Sequence, residues 1–245
     1  MTDYASFARF YDRVIGDRSE EIARIQGYLD RYLPDARSLL ELGCGTGAIL
    51  AGFAGKLALT GVDKSPEMLA IAAERLPAAE LVLADMTSFR LEARYDAVIC
   101  VFDTLNHLPS FDLWLALFDR VHEHLADGGL LAFDVNTTGR LRGLWGAAPY
   151  VDHFDGNTVV MQVRPAHGET SIWTTTIIEG NADGTHRRHS ERIIELAVPL
   201  ARIREVLSGR FELLEASGLH GESATDESDR AFFAYRRRPR RVTPG

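Results

Sequence analysis

The run Glu41-Leu42-Gly43-Cys44-Gly45-Thr46-Gly47 carries three glycines at alternate positions directly after a short apolar segment. Residues without a Cβ let the chain turn tightly and bring its N–H groups against a ligand, as dinucleotide-binding loops do where a helix opens. A nucleotide-like cofactor is implied. Its kind follows from spacing: a nicotinamide-binding loop sets its third glycine three residues after the second, whereas Gly47 follows Gly45 by two. Glu41, at the mouth of the loop, would repel a diphosphate and attract an ammonium group, so the loop favours a cationic ligand. Further on, Phe102-Asp103-Thr104-Leu105-Asn106-His107 follows another apolar run. His107 is a candidate general base, because an imidazole titrates near neutrality; capping or packing the start of the next helix is the alternative.

The elements that must position these groups come from periodicity. Residues 38–42, 58–62, 81–83, 97–101 and 130–133 are short, β-rich and apolar on both faces, as parallel strands between helices should be. Helical patterns over 46–55, 65–75 and 110–125 alternate with them, the second opening on Ser65-Pro66-Glu67, a cap followed by proline. Loops at the carboxyl ends of such strands face the ligand crevice, which directs attention to Asp103, Asn106, His107, Asp134 and Asn136. From about residue 150 the period becomes two, predicting antiparallel strands over 150–155, 158–164, 171–179 and 185–198. A helix near 199–208 and strands over 211–216 and 231–236 then return the chain to the main sheet.

The 245 residues suffice for one domain with its own core. Hydrophobic residues at 46% and charged residues at 25% exclude a disordered chain. No apolar run approaches the roughly 18 residues of a membrane helix. The charged residues Asp3, Arg9, Asp12, Arg13, Asp17 and Arg18 do not read as a secretory leader, so a cytoplasmic location is expected. Cys44 and Cys100 both lie in apolar runs, which argues against disulfides and a metal cage; no metal is expected. A net charge of −8 would repel a phosphate backbone, so neither nucleic acid nor membrane is an expected partner. The basic stretch 236–241 reads as a solvated terminus.

Taken in order, the glycine motif, Asp63 after the second strand, Asp85 in Leu83-Ala84-Asp85-Met86 after the third, and Leu125-Ala126-Asp127-Gly128-Gly129 before the fifth resemble the class I S-adenosylmethionine-dependent methyltransferases. The match covers about residues 1–136 well and the remainder loosely. It implies an α/β, Rossmann-like fold: a seven-stranded mixed sheet with helices on both faces, and an antiparallel β insertion after strand 5. The cofactor domain would be 1–136 and 197–245, with a helical lid over 1–33, and the insertion 137–196 would cover the acceptor.

The resemblance further implies S-adenosyl-L-methionine as cofactor and S-adenosyl-L-homocysteine as product. Gly43, Cys44, Gly45 and Gly47 would form the cradle; Asp63 would accept from both ribose hydroxyls; Lys64 and Met68 would flank the adenine. Asp85 would accept from the adenine amino group, and Met86 would offer its N–H to the ring. Phe102 follows strand 4, and Asp103 and Asn106 would orient the methionine end or the acceptor amine. Tyr4, Phe7, Ala8 and Tyr11 share one helical face, and Tyr11-Asp12 resembles a segment that relatives fold over the cofactor; a helix docked on the core needs the same pattern.

Methyl transfer is an in-line displacement, for which alignment can supply on the order of 7–11 kcal/mol, so a catalytic base is optional. The insertion resembles that of sugar amine and glycine N-methyltransferases. A small-molecule acceptor is expected, more an amine nitrogen than an oxygen, and a homodimer through the insertion stays open. The alternatives are an NAD(P)-dependent oxidoreductase and a protein that binds S-adenosylmethionine without transferring methyl.

Overall fold

The computed structural model describes residues 7–239, so Tyr4, Arg240 and Arg241 lie outside the described residues. Strands β1 (Ser38–Leu42), β2 (Ala58–Asp63), β3 (Glu80–Leu83), β4 (Tyr95–Cys100) and β5 (Leu125–Asn136) are parallel to one another. Strand β11 (Arg230–Arg237) runs antiparallel beside β5, and β10 (Phe211–Ser217) antiparallel beside β11. The sheet order is β10-β11-β5-β4-β1-β2-β3, a seven-stranded mixed sheet.

Both faces of this sheet are covered, which explains why its central strands carry apolar residues on both phases of the alternation. Leu40 and Leu42 of β1 and Val98 of β4 face Trp114 and Leu117 of α4 (Phe111–His124) and Ile203 of α6 (Leu200–Ser208). Their neighbours Leu39, Ala97 and Ile99 face Ile25 and Leu29 of α2 (Ser19–Tyr32) on the other side. Each buried leucine contributes roughly 1.5–3 kcal/mol relative to exposure. Helix α3 (Pro66–Arg75) begins where its sequence predicts, with Ser65 Oγ accepting from the Met68 N–H at 3.3 Å.

Two local predictions are corrected. The helix expected over 46–55 forms only a 3-10 turn at Leu50–Phe53. Gly47, Gly52 and Gly55 weaken the helix, and the chain here must stay thin beneath α2: a Cβ on Gly52 would lie 2.5 Å from Ile22 Cγ2. The turn expected at 125–129 is drawn into β5 as a bulge, because pairing passes from Tyr95 with Leu125 directly to Ala97 with Leu130.

The basic stretch also differs from expectation. Arg236 and Arg237 belong to β11, and Arg237 is wholly buried and paired with Asp127. A short helix α5 (Thr138–Gly143), capped by the Thr137 hydroxyl, leads out of β5.

A second sheet is a four-stranded antiparallel meander: β6 (Tyr150–Phe154), β7 (Asn157–Pro165), β8 (Thr170–Gly180) and β9 (His186–Leu196). Helix α1 (Ala8–Ile15) docks on it, with Phe7 and Phe10 packed against Phe154, Val159 and Ile177. The same helix is latched to the glycine loop. Thr46 Oγ1 donates to Asp12 Oδ1 at 2.7 Å, and Arg75 donates to the Thr46 carbonyl at 2.7 Å. Helix α1 thus rests on the second sheet and presents Tyr11 to the cleft of the main one. Among the described residues no helix is long and apolar enough to cross a membrane.

Candidate cofactor and acceptor site

The carboxyl ends of β1, β2, β3 and β4 open into one cleft, the setting in which open α/β sheets bind small molecules. Gly43, Gly45, Asp63, Lys64, Met68, Asp85 and Met86 line it. Tyr11 and Phe102 close one side, and Thr104, His107 and Leu108 form the far wall.

The glycines serve three different contacts. A Cβ on Gly43 would lie 2.3 Å from Thr104 Cγ2, and one on Gly47, whose φ is +71°, would lie 3.0 Å from Leu76 and 3.2 Å from Ala72. Gly45, at φ +52°, has nothing within 4 Å of where its Cβ would stand, and that open face belongs to the cleft. This is the cradle a ligand needs. Asp63 fixes it: Oδ2 accepts from the Gly45 N–H and Oδ1 from the Ser65 N–H, both at 2.8 Å. Each carboxylate oxygen keeps a lone pair for a ligand hydroxyl. Burial raises the Asp63 carboxyl above the usual carboxylate range, although the Ser65 and Gly45 N–H groups pull it the other way. Asp85 is set by Thr87, whose N–H and hydroxyl both donate to Oδ1.

Four of the expected cofactor residues stand behind the wall. Gly47 packs on α3. Cys44 is buried against Gly61, and burial pushes its thiol well up. Glu41 is 3% exposed, Oε2 has no hydrogen-bond partner among the described residues, and burial together with the Asp63 charge raises its pKa well above normal. It is buried and does not line the cleft, so it does not stand exposed at the mouth of the loop. Asp103 reaches away from the loop to Arg230, which donates to it at 2.5 Å and to Asp134 Oδ2 at 2.9 Å.

Phe102 and Asp103 both adopt left-handed backbone, at φ 57° and 48°. For residues with a Cβ this costs on the order of 1–2 kcal/mol each. Wholly buried Asp134 holds the corner, its carboxylate accepting from the Phe102 N–H at 2.8 Å and the Asp103 N–H at 3.0 Å. The corner turns the Phe102 ring into the cleft and sets Asp103 beside His107.

His107 Nε2 lies 3.7 Å from Asp103 Oδ2 and 3.8 Å from Glu195 Oε1. Burial alone would lower its pKa; the two carboxylates outweigh this and raise it. Burial and the neighbouring Asp103 charge push Glu195 up to about 8. Asp103 goes the other way: burial is outweighed by Arg230 and His107, which hold it below its ordinary value.

Asn106 is a correction. Its side chain is fully buried outside the cleft, donating to the carbonyls of Asn136 and Leu196 and accepting from the Asn136 N–H. An amide with its donors and acceptor spent on backbone ties strands together and does not touch an acceptor.

Sequence reasoning missed Glu195 and Arg18. Glu195 carried a readable signal, since Glu191, Ile193 and Glu195 share the inward phase of β9 and a carboxylate on a buried phase needs a reason. Arg18 had none: it follows α1 in a connection with no motif. Its guanidinium lies over the Phe102 ring at 4.7 Å and near Tyr11, and Nη2 has no hydrogen-bond partner among the described residues.

A Rossmann-like sheet thus presents a glycine cradle after β1, an acid at the end of β2 and another after β3 to one cleft. Residues 39–129 match the family described as a methyltransferase domain. The chain is 34% identical over 140 residues, 55% of each chain, to dTDP-3-amino-3,6-dideoxy-alpha-D-glucopyranose N,N-dimethyltransferase of Streptomyces fradiae. Among solved structures, an S-adenosylmethionine-bound amino pentose methyltransferase from Micromonospora echinaspora superposes with a TM-score of 0.77 at 26% identity, covering 97% of this chain and 99% of that one. An S-adenosylmethionine-dependent methyltransferase from Clostridium acetobutylicum superposes with a TM-score of 0.85 at 20% identity, covering 95% and 98%. By its domain and its relatives this chain is an S-adenosylmethionine-dependent methyltransferase, and the oxidoreductase and non-catalytic readings are not favoured.

Proposed function

We propose that the enzyme methylates the amino group of a small molecule of the amino-sugar kind. The observation that carries this is His107 on the far wall of the cleft, backed by the Asp103 and Glu195 carboxyl groups at 3.7 and 3.8 Å from its Nε2. Such a wall attracts an ammonium and offers its proton a destination, whereas a carboxylate acceptor would be repelled. The acceptors named for the Streptomyces and Micromonospora relatives are amino sugars, which supports the same reading.

The cofactor supplies, when bound, an electrophilic methyl on a sulfonium. Asp63 accepts from the ribose hydroxyls, Asp85 from the adenine amino group, and Lys64 and Met68 flank the ring. Arg18, whose Nη2 makes no hydrogen bond among the described residues and lies 3.7 Å from Asp12 Oδ1, receives the methionine carboxylate. Tyr11 and Phe102 exclude water from the reacting groups. His107 takes the proton that the acceptor ammonium must lose before its lone pair can attack. The antiparallel sheet covers the acceptor side.

The test is methyl transfer from S-adenosylmethionine across a matched set: dTDP-3-amino-3,6-dideoxyglucose, the same nucleotide sugar with a hydroxyl in place of the amine, and a dicarboxylic acid. S-adenosylhomocysteine should form with the amine alone. Turnover of the hydroxyl or the acid, with the amine inert, would refute the proposal.

A further inference from the structure

Resting on the reading of His107 as proton acceptor, we propose that Glu195, delivered by the antiparallel sheet, is a positioning residue that acts through His107 and governs its protonation. The side chain of Glu195 is 4% exposed, and Oε1 stands 3.8 Å from His107 Nε2. That separation is too long for a hydrogen bond, so its influence on the imidazole is by charge.

The geometry is held from three directions. Asn136 Nδ2 donates to Glu195 Oε2 at 3.0 Å, and Asn106 binds the carbonyl of the next residue, Leu196, at 3.0 Å. Asn106 and Asn136 also bond each other, with Asn136 N–H to Asn106 Oδ1 at 2.9 Å and Asn106 Nδ2 to the Asn136 carbonyl at 2.9 Å. These buried amides clamp the end of β9 to the end of β5 and set the Glu195 carboxylate beside His107. A purely covering sheet has no need of an acid there, and burying one is costly.

The charged groups facing His107 are Asp103 from its own turn, Glu195 from β9 and Lys64 from the segment after β2, with Arg230 of β11 behind Asp103. Arg230 spends its guanidinium on Asp103 and Asp134. Of these three carboxylates, Glu195 is therefore the one without a guanidinium bond, and its charge answers to the imidazole. In the proton step the acceptor's N–H bond breaks, its electron pair stays on nitrogen for the methyl carbon, and the proton passes to the imidazole of His107. The His107–Glu195 pair then holds that proton until it leaves to solvent.

The experiment is NMR titration of the His107 imidazole in the S-adenosylhomocysteine complex, with the resonance assigned by His107→Gln. A coupled pair titrates in two steps, and the parent's His107 resonance should report both, with its main step raised above the ordinary imidazole value by the neighbouring carboxylates. Glu195→Gln should leave a single step with its midpoint lower than the parent's, because the Glu195 charge that raises the imidazole is gone. Glu195→Asp, which keeps the charge one methylene further away, should retain two steps drawn closer together. Unchanged S-adenosylhomocysteine affinity shows that the variants are folded; if Glu195→Gln is not, Glu195→Asp decides alone. A His107 titration identical to the parent's would overturn the inference. Its failure is distinguishable from failure of the underlying reading: a His107→Ala enzyme that methylates dTDP-3-amino-3,6-dideoxyglucose at the parent rate would remove the proton-acceptor role itself, whatever Glu195 does to the titration.

Discussion

Removing the Asp63 carboxylate is the most informative single perturbation of the cofactor site. Asp63→Ala deletes two acceptor bonds inside the protein, to the Gly45 and Ser65 N–H groups at 2.8 Å each, and the two it offers the ribose. A hydrogen bond to a charged group nets about 1.5–3 kcal/mol. Taking the lower figure for the two ribose bonds gives about 3 kcal/mol, or a roughly 100-fold rise in the dissociation constant for S-adenosylhomocysteine. Loss of the two backbone bonds should lower folding stability by about 2–3 kcal/mol, because the Gly45 N–H is held in place by nothing else recorded at the cradle.

Calorimetric titration with S-adenosylhomocysteine reads the first effect and urea unfolding the second. A pH series adds a signature. The ionised acid binds the diol, and burial raises its pKa, so parental affinity should fall on acidification beginning above the ordinary carboxylate range. The variant should lose that limb. Parental affinity and parental pH dependence in a folded Asp63→Ala protein would refute the assignment.

Three further outcomes follow from the same geometry. His107→Ala should lower kcat with dTDP-3-amino-3,6-dideoxyglucose by about 100-fold, while S-adenosylhomocysteine affinity stays within about twofold; equal turnover at every pH would leave His107 a packing residue. Gly47→Val should cost about 2–4 kcal/mol in urea unfolding, since φ is +71° and the new side chain meets Ala72 and Leu76. Arg230→Met should cost about 3–5 kcal/mol by leaving Asp103 and Asp134 uncompensated. The loss should be greatest at neutral pH and shrink on acidification, because a carboxylate held below its ordinary pKa stabilises the fold above its unfolded pKa and ceases to do so as pH falls through the folded value. A pH-independent effect would contradict that electrostatic account.

The parts legible in the sequence are those fixed by local chemistry. Ser65-Pro66 announced α3, and the apolar phases of β1 and β4 announced a sheet covered on both sides. The Gly43 and Gly45 spacing marked the cradle. What could not be read depends on residues far apart in the chain. Glu195 reaches His107 only because Asn106 and Asn136 join β9 to β5, and Arg18 meets Phe102 only because Asp134 bends the chain at residues 102–103. Asn106 misled for the same reason: its position after β4 suited an acceptor ligand, while its bonds go to backbone 30 and 90 residues away. The run 46–55 read as a helix because periodicity carries no knowledge of Ile22 lying against Gly52.

The account turns on how the cofactor lies between Asp63 and His107. A crystal structure of the enzyme with S-adenosylhomocysteine should show both ribose hydroxyls on the Asp63 carboxylate, adenine beside Asp85 and Met86, and the sulfur directed at the wall formed by His107. The adenosine reversed along the cleft, or its ribose bound elsewhere with Asp63 left to the backbone alone, would contradict it.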